Sequence, residues 1–110
     1  MWQELALKHA QESDPKESCG LLLIKKGKEV YFPCKNIAPD PTDQFILDPQ
    51  DYADAEDQGE ITAVIHSHPV TSSEPSQADK IACEKSGIKW WIVQPNLNKW
   101  TSFEPCGYKA

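Results

Sequence analysis

The sequence predicts a mixed α+β fold, a β-sheet of about six short strands flanked by three helices. Three observations carry this. Apolar residues recur at helical spacing near the amino terminus, several short apolar runs are bounded by Gly, Pro or Asn turns, and two polar segments open on helix-capping residues. At 110 residues and 39% hydrophobic content, the chain suits one domain over residues 1–110, with a single core.

Trp2, Leu5, Ala6, His9 and Ala10 share one helical face and Pro15 lies just beyond, so a helix is expected over about 2–13. Gly20 to Ile24 is a continuous apolar run. The Lys-Lys-Gly-Lys turn follows, then Val30, Tyr31 and Phe32, which together predict a hairpin. Such a hairpin sets Cys19 nearly opposite Cys34, near enough for a disulfide in an oxidising compartment, and leaves their redox state open. Asn36, Pro39 and Pro41 mark a turn-rich segment from Cys34 to Asp43. Phe45 to Leu47 reads as a short strand, and Asp48-Pro49 as the cap and first turn of a helix that runs to about Gln58 and stops at Gly59. Ile61 to Ser67 is apolar on both faces, as a central strand must be, and Pro69 closes it because proline cannot donate to a ladder. After a polar loop, Ser76 begins a helix that ends near Ser86 at Gly87. Trp90 to Val93 and Trp100 to Phe103 are two more strands around a Pro95-Asn96-Leu97-Asn98 turn.

Composition removes several function classes. The net charge is −6, and all 11 basic residues are lysine, so no guanidinium fork is present for phosphate recognition and nucleic acid is not an expected partner. No apolar run reaches the ~20 residues of a membrane span, and charges interrupt the first ten residues where a signal peptide would be apolar. A soluble, cytoplasmic protein is expected. Cys19, Cys34, Cys83 and Cys106 include no C-x-x-C pair, which argues against a structural zinc ribbon or a thioredoxin-like site.

The chemistry concentrates in His66-Ser67-His68-Pro69 and Ser76-Gln77-Ala78-Asp79. Residues i and i+2 of a strand point to one face, so His66 and His68 can present two imidazoles to a single point. The first turn of the following helix can bring the Asp79 carboxylate there as a third ligand, leaving a fourth tetrahedral position for water. Zinc in such a site lowers the pKa of its water from about 15.7 towards about 7. A proton carrier is also required, and Glu17, where the chain enters the first apolar strand, is the candidate.

These residues resemble the JAMM metallopeptidases, or MPN domain. The family pattern is a glutamate before a Cys-Gly-apolar strand, then His-Ser/Thr-His-Pro, a serine after seven intervening residues and an aspartate after two more. The sequence carries it at Glu17, Cys19-Gly20, His66 to Pro69, Ser76 and Asp79 without substitution. The resemblance implies a cytidine-deaminase-like mixed sheet, one Zn²⁺ held by His66, His68 and Asp79 with a water or hydroxide, Glu17 as general acid/base, and Ser76 as a donor to the tetrahedral oxyanion. It implies hydrolysis of peptide or isopeptide bonds.

A narrower resemblance is to the amino-terminal domains of tail assembly proteins from lambda-like phages, through Glu17 to Gly20, Tyr31 to Cys34, Asn36-Ile37, Gln58 to Ile61, His66 to Pro69 and Trp90-Trp91. It implies a peptide or protein substrate, phage tail proteins or a fused cysteine-peptidase domain as partners, an excised or stand-alone domain, and a virion-associated location as an alternative to the cytoplasm.

Simpler explanations compete. Ser76-x-x-Asp79 is close to a helix capping box, Glu17 beside Lys16 could be an exposed charge, and His9 reads as an ordinary helix residue. Adjacent Trp90 and Trp91 must face opposite sides of their strand, one towards the core. The acidic stretch from Asp48 to Glu60 reads as a solvated helix face. The main functional alternative is a non-catalytic, metal-stabilised assembly module of a phage tail tip. A double-stranded β-helix site, which also uses His-x-His, needs a further histidine downstream of His68, and the sequence has none.

Overall fold

A computed structural model of the chain describes residues 1–69 and 74–106. The elements, in order, are α1 (Trp2–Ser13), β1 (Cys19–Lys25), β2 (Lys28–Cys34), α2 (Pro49–Gln58), β3 (Glu60–Ser67), α3 (Gln77–Ser86), β4 (Lys89–Gln94) and β5 (Lys99–Phe103). Part of the polar loop expected after Pro69 lies outside the described residues.

The strands form one five-stranded sheet in the order β2-β1-β3-β4-β5. Among the described residues only β3 and β4 run parallel. A parallel pair needs a crossover, and α3 supplies it. That connection sets the first turn of α3 beyond the carboxyl end of β3, where His66, Ser67 and His68 emerge.

The expected mixed fold with three helices is present, but the sheet has five strands and not six. Phe45 to Leu47 makes a single antiparallel bridge, Leu47 with Asn36. The reason is local. The Asn36 side chain donates to the Gln44 carbonyl at 3.1 Å and accepts from the Ile46 N–H at 3.1 Å, so a side chain satisfies backbone groups that a ladder would have used.

Alternation along the strands divides the core in two. Cys19, Leu21, Leu23, Val64 and Trp90 pack with Ala55 of α2 and Cys83 of α3 on one face. Leu22, Tyr31, Ala63 and Ile65 pack with Trp2 and Ala6 of α1 on the other. Trp90 and Trp91 separate as their adjacency requires, Trp90 into the first cluster and Trp91 onto the edge of the second. Gly20 is required by space, because a Cβ there would lie 2.5 Å from the Tyr31 ring. Gly87 ends α3 at φ 72°, in the left-handed region. Cys19 and Cys34 are paired across β1 and β2, and both are free thiols.

Candidate functional site

β1 and β3 are antiparallel neighbours with Cys19 opposite His66, so the residues just before β1 meet the end of β3. A two-way clamp fixes this junction. The Ser67 Oγ accepts from the Ser18 N–H at 2.7 Å, and the Ser67 N–H donates to the Ser18 carbonyl at 3.1 Å. Glu17 is held from the other side, where its N–H donates to the Pro41 carbonyl at 2.7 Å and its carbonyl accepts from the Asn36 amide at 3.0 Å. Its carboxylate turns towards His66 and the residue is only 9% exposed, which removes the explanation of Glu17 as a surface charge.

His66 is 0% exposed, and His68 and Asp79 are also buried. One Asp79 oxygen lies 3.3 Å from His66 Nε2 and the other 3.1 Å from His68 Nε2. Glu17 Oε1 lies 3.6 Å from His66 Nδ1. Ligand atoms of Glu17, His66 and His68 all fall within 4.8 Å of one another. Asp79 thus contacts both histidines and Glu17 contacts His66, whereas the group whose ligand atoms all lie mutually close is Glu17, His66 and His68, without Asp79. Ser76 stands beside them as the N-cap of α3, its Oγ accepting from the Asp79 N–H at 3.1 Å while its own N–H donates to Asp79 Oδ2 at 2.9 Å. The capping box is real, and it also aims the Asp79 carboxylate at the histidines. His9 lies elsewhere, its Nδ1 2.6 Å from the Tyr31 hydroxyl.

The electrostatics favour a positive charge at the centre of the cluster. Burial alone disfavours a charged His66, but Asp79 and Glu17 outweigh it and raise its pKa above the ordinary imidazole value. Burial likewise pushes the Asp79 carboxyl up, yet His66, His68 and the Ser76 amide outweigh that and hold it well below the usual carboxylate range. Neither ring nitrogen of His66 completes a hydrogen bond among the described residues. Buried imidazole nitrogens without a hydrogen bond are costly, and a metal ligand is one of the few roles that relieves them. Tetrahedral zinc with bonds of about 2.0–2.1 Å requires ligand atoms about 3.3 Å apart. The 3.3 and 3.1 Å contacts of the two Nε2 atoms are of that length and run to different oxygens of Asp79, which bridges the two imidazoles. The donor set fits a zinc ion.

Two aromatic residues complete the surroundings. Phe45 stacks on the His66 ring at 4.5 Å between centroids, and Trp90 meets the same ring edge-on at 5.5 Å. A cleft of about 500 Å³ opens beside Asp79 and Glu17, walled by α3 and by residues 42–46. Sequence reasoning assigned no site role to Phe45, Ser67 or Asn36. Ser67 carried a signal in its place between the two histidines, whereas Phe45 reaches the site only through the conformation of residues 35–48.

The chain is similar to several known proteins. The family described as prokaryotic homologs of the JAB domain matches residues 2–104. The tail tip assembly protein K of Escherichia phage N15 is 45% identical over 85 residues, 77% of this chain and 35% of that protein, so the chain spans about a third of this relative's length. Among solved structures, a protein from Desulfitobacterium hafniense superposes with a TM-score of 0.73 at 26% identity, over 92% of this chain and 76% of that one. A structure described as JAMM, a metalloprotease-like zinc site in the proteasome and signalosome, gives 0.59 at 23% identity over 98% of this chain and 85% of that one, which shows likeness of fold alone.

Proposed function

The chain belongs to the prokaryotic homologues of the JAB domain, and from that premise we propose that it is a zinc-dependent hydrolase of peptide or isopeptide bonds, working in a phage tail or prophage setting. The observation that carries this reading is the Asp79 carboxylate bridging the Nε2 atoms of His66 and His68 at 3.3 and 3.1 Å, beside a buried Glu17. His66, His68 and Asp79 would hold the metal. Zinc there supplies Lewis acidity, polarising an amide carbonyl and lowering the pKa of water to about 7.

The side chains supply the rest. Glu17 takes a proton from the attacking water and delivers it to the leaving nitrogen, a role suited to a carboxylate held at the edge of the cluster. The Ser76 Oγ accepts from the Asp79 N–H, which leaves its own proton to donate to the carbonyl oxygen as that atom gains charge. Phe45 and Trp90, in contact with each other, both pack against the His66 ring and keep bulk water from it. The peptide or protein substrate and the tail-protein partners belong to this same proposal, supported by the likeness to the phage N15 protein.

The test is metal content together with turnover. Purified protein should carry one zinc per chain, and Glu17→Gln should keep the metal while losing about 10²–10⁴-fold in turnover. A Glu17→Gln variant as active as the unaltered protein would sink the mechanism. The name of the phage N15 relative favours a second reading, a metal-stabilised assembly module of the tail tip. On that reading chelation melts the domain, no amide is ever turned over, and Glu17→Gln still supports tail assembly.

A further inference from the structure

We infer that the cleft beside the four-residue cluster is a specificity slot for an uncharged, apolar side chain next to the scissile amide, a reading that rests on the proposed hydrolase function. Ala78 and Ala82 are one turn apart on α3, so they present a single face, and both line the cleft. Their small side chains leave room where a leucine or lysine would close it. Trp90 and Pro69 also line the cleft, and Phe45 and Ile46 form part of the wall contributed by residues 42–46. Ile46 is 46% exposed, a large apolar group at the rim that an entering side chain would cover.

Charge narrows the occupant further. The ionisable groups of the lining, apart from His68, are Glu17, Asp43 and Asp79, and no lysine is among its described residues. Along the slot an acidic substrate side chain would meet the like charge of Asp43 and Glu17 with no lysine of the described lining to receive it, and would lose its hydration against an apolar wall. A mostly apolar pocket with a few convergent polar groups at one end is the usual form of a site that orients a reacting bond and selects its neighbour by shape.

The experiment uses zinc-loaded Glu17→Gln protein and four end-blocked fluorescent peptides that differ at one residue, Gly, Leu, Phe or Glu, with affinity read by fluorescence polarisation. The Leu and Phe peptides should bind about tenfold or more tightly than the Gly peptide, with the Glu peptide weakest. Ala82→Phe should bring the Leu and Gly peptides to within about threefold of each other by filling the slot. Ala82 packs partly against the core, so Ala78→Leu, at an exposed position of the first turn, makes the same test without that risk. Equal binding of all four peptides, preference for Glu, or a Leu-to-Gly ratio unmoved by both variants overturns the slot. Ordered binding that the variants abolish, alongside an unaltered protein that cleaves none of the peptides, would instead reject hydrolysis and leave the slot standing.

Discussion

His66 has no exposed surface, and its two nitrogens face the carboxylates of Asp79 and Glu17 at 3.3 and 3.6 Å. A cation held among these groups would face the imidazoles of His66 and His68 and the Asp79 carboxylate at once. Asp79 is the residue on which this arrangement turns, because its oxygens reach both histidines. Asp79→Asn keeps the size and removes the charge. It should weaken zinc binding by more than the about 10–100-fold that follows loss of an outer hydrogen-bond partner, as measured by competition with a chromogenic chelator. Unchanged zinc affinity in that variant would remove Asp79 from the ligand set.

The groups of the cluster come from three places in the fold, the lead-in to β1, the end of β3 and the first turn of α3, so the connections between elements decide its geometry. The segment between β2 and α2 is organised by Asn36, whose side chain accepts from the Ala38 and Ile46 N–H groups at 3.0 and 3.1 Å and donates to the Glu17 and Gln44 carbonyls at 3.0 and 3.1 Å. Asn36→Ala should cost about 1–3 kcal/mol in urea unfolding. It should also speed amide exchange at Ala38 and Ile46 and loosen Phe45 from His66, so turnover should fall further than stability alone explains. The β1–β2 pairing has its own signature. Burial, with nearby acidic groups, pushes the Cys19 and Cys34 thiols up to about 12. A thiol raised in the fold adds stability that is complete below its unfolded pKa of about 8.5 and is lost as pH climbs towards the folded value. Urea midpoints should therefore decline between about pH 9 and 12, and the decline should be shallower in Cys34→Ala.

Over the molecule as a whole, the proposed metal would tie the lead-in to β1, the end of β3 and the start of α3 into one unit. Ligand that binds only the folded state stabilises by about 2.7 kcal/mol at a hundred times its Kd. For a domain of this size that is a shift on the order of 10–20 °C in Tm. Thermal melts with zinc and with a chelator should differ by that amount, and coincident melts would argue that no metal belongs to the fold. Much of this was legible along the chain. Periodicity and capping residues predicted α1, α2 and α3 to within a residue or two, because those signals are local. The i, i+2 histidines and the first-turn aspartate could be read as one site because strand and helix geometry fix which side chains share a face. What the sequence could not decide was the conformation between Cys34 and Asp48. There a single side chain, Asn36, takes the hydrogen bonds of a would-be strand, and Phe45 is carried onto His66. Nor could it show that Glu17 is buried, since that depends on Ser67 and Pro41, residues distant in sequence whose hydrogen bonds to Ser18 and Glu17 exist only once β1 and β3 lie side by side. Local pattern thus determined the elements and the candidate site residues, while long-range hydrogen bonding and packing, which no local pattern encodes, decided how those residues are brought together.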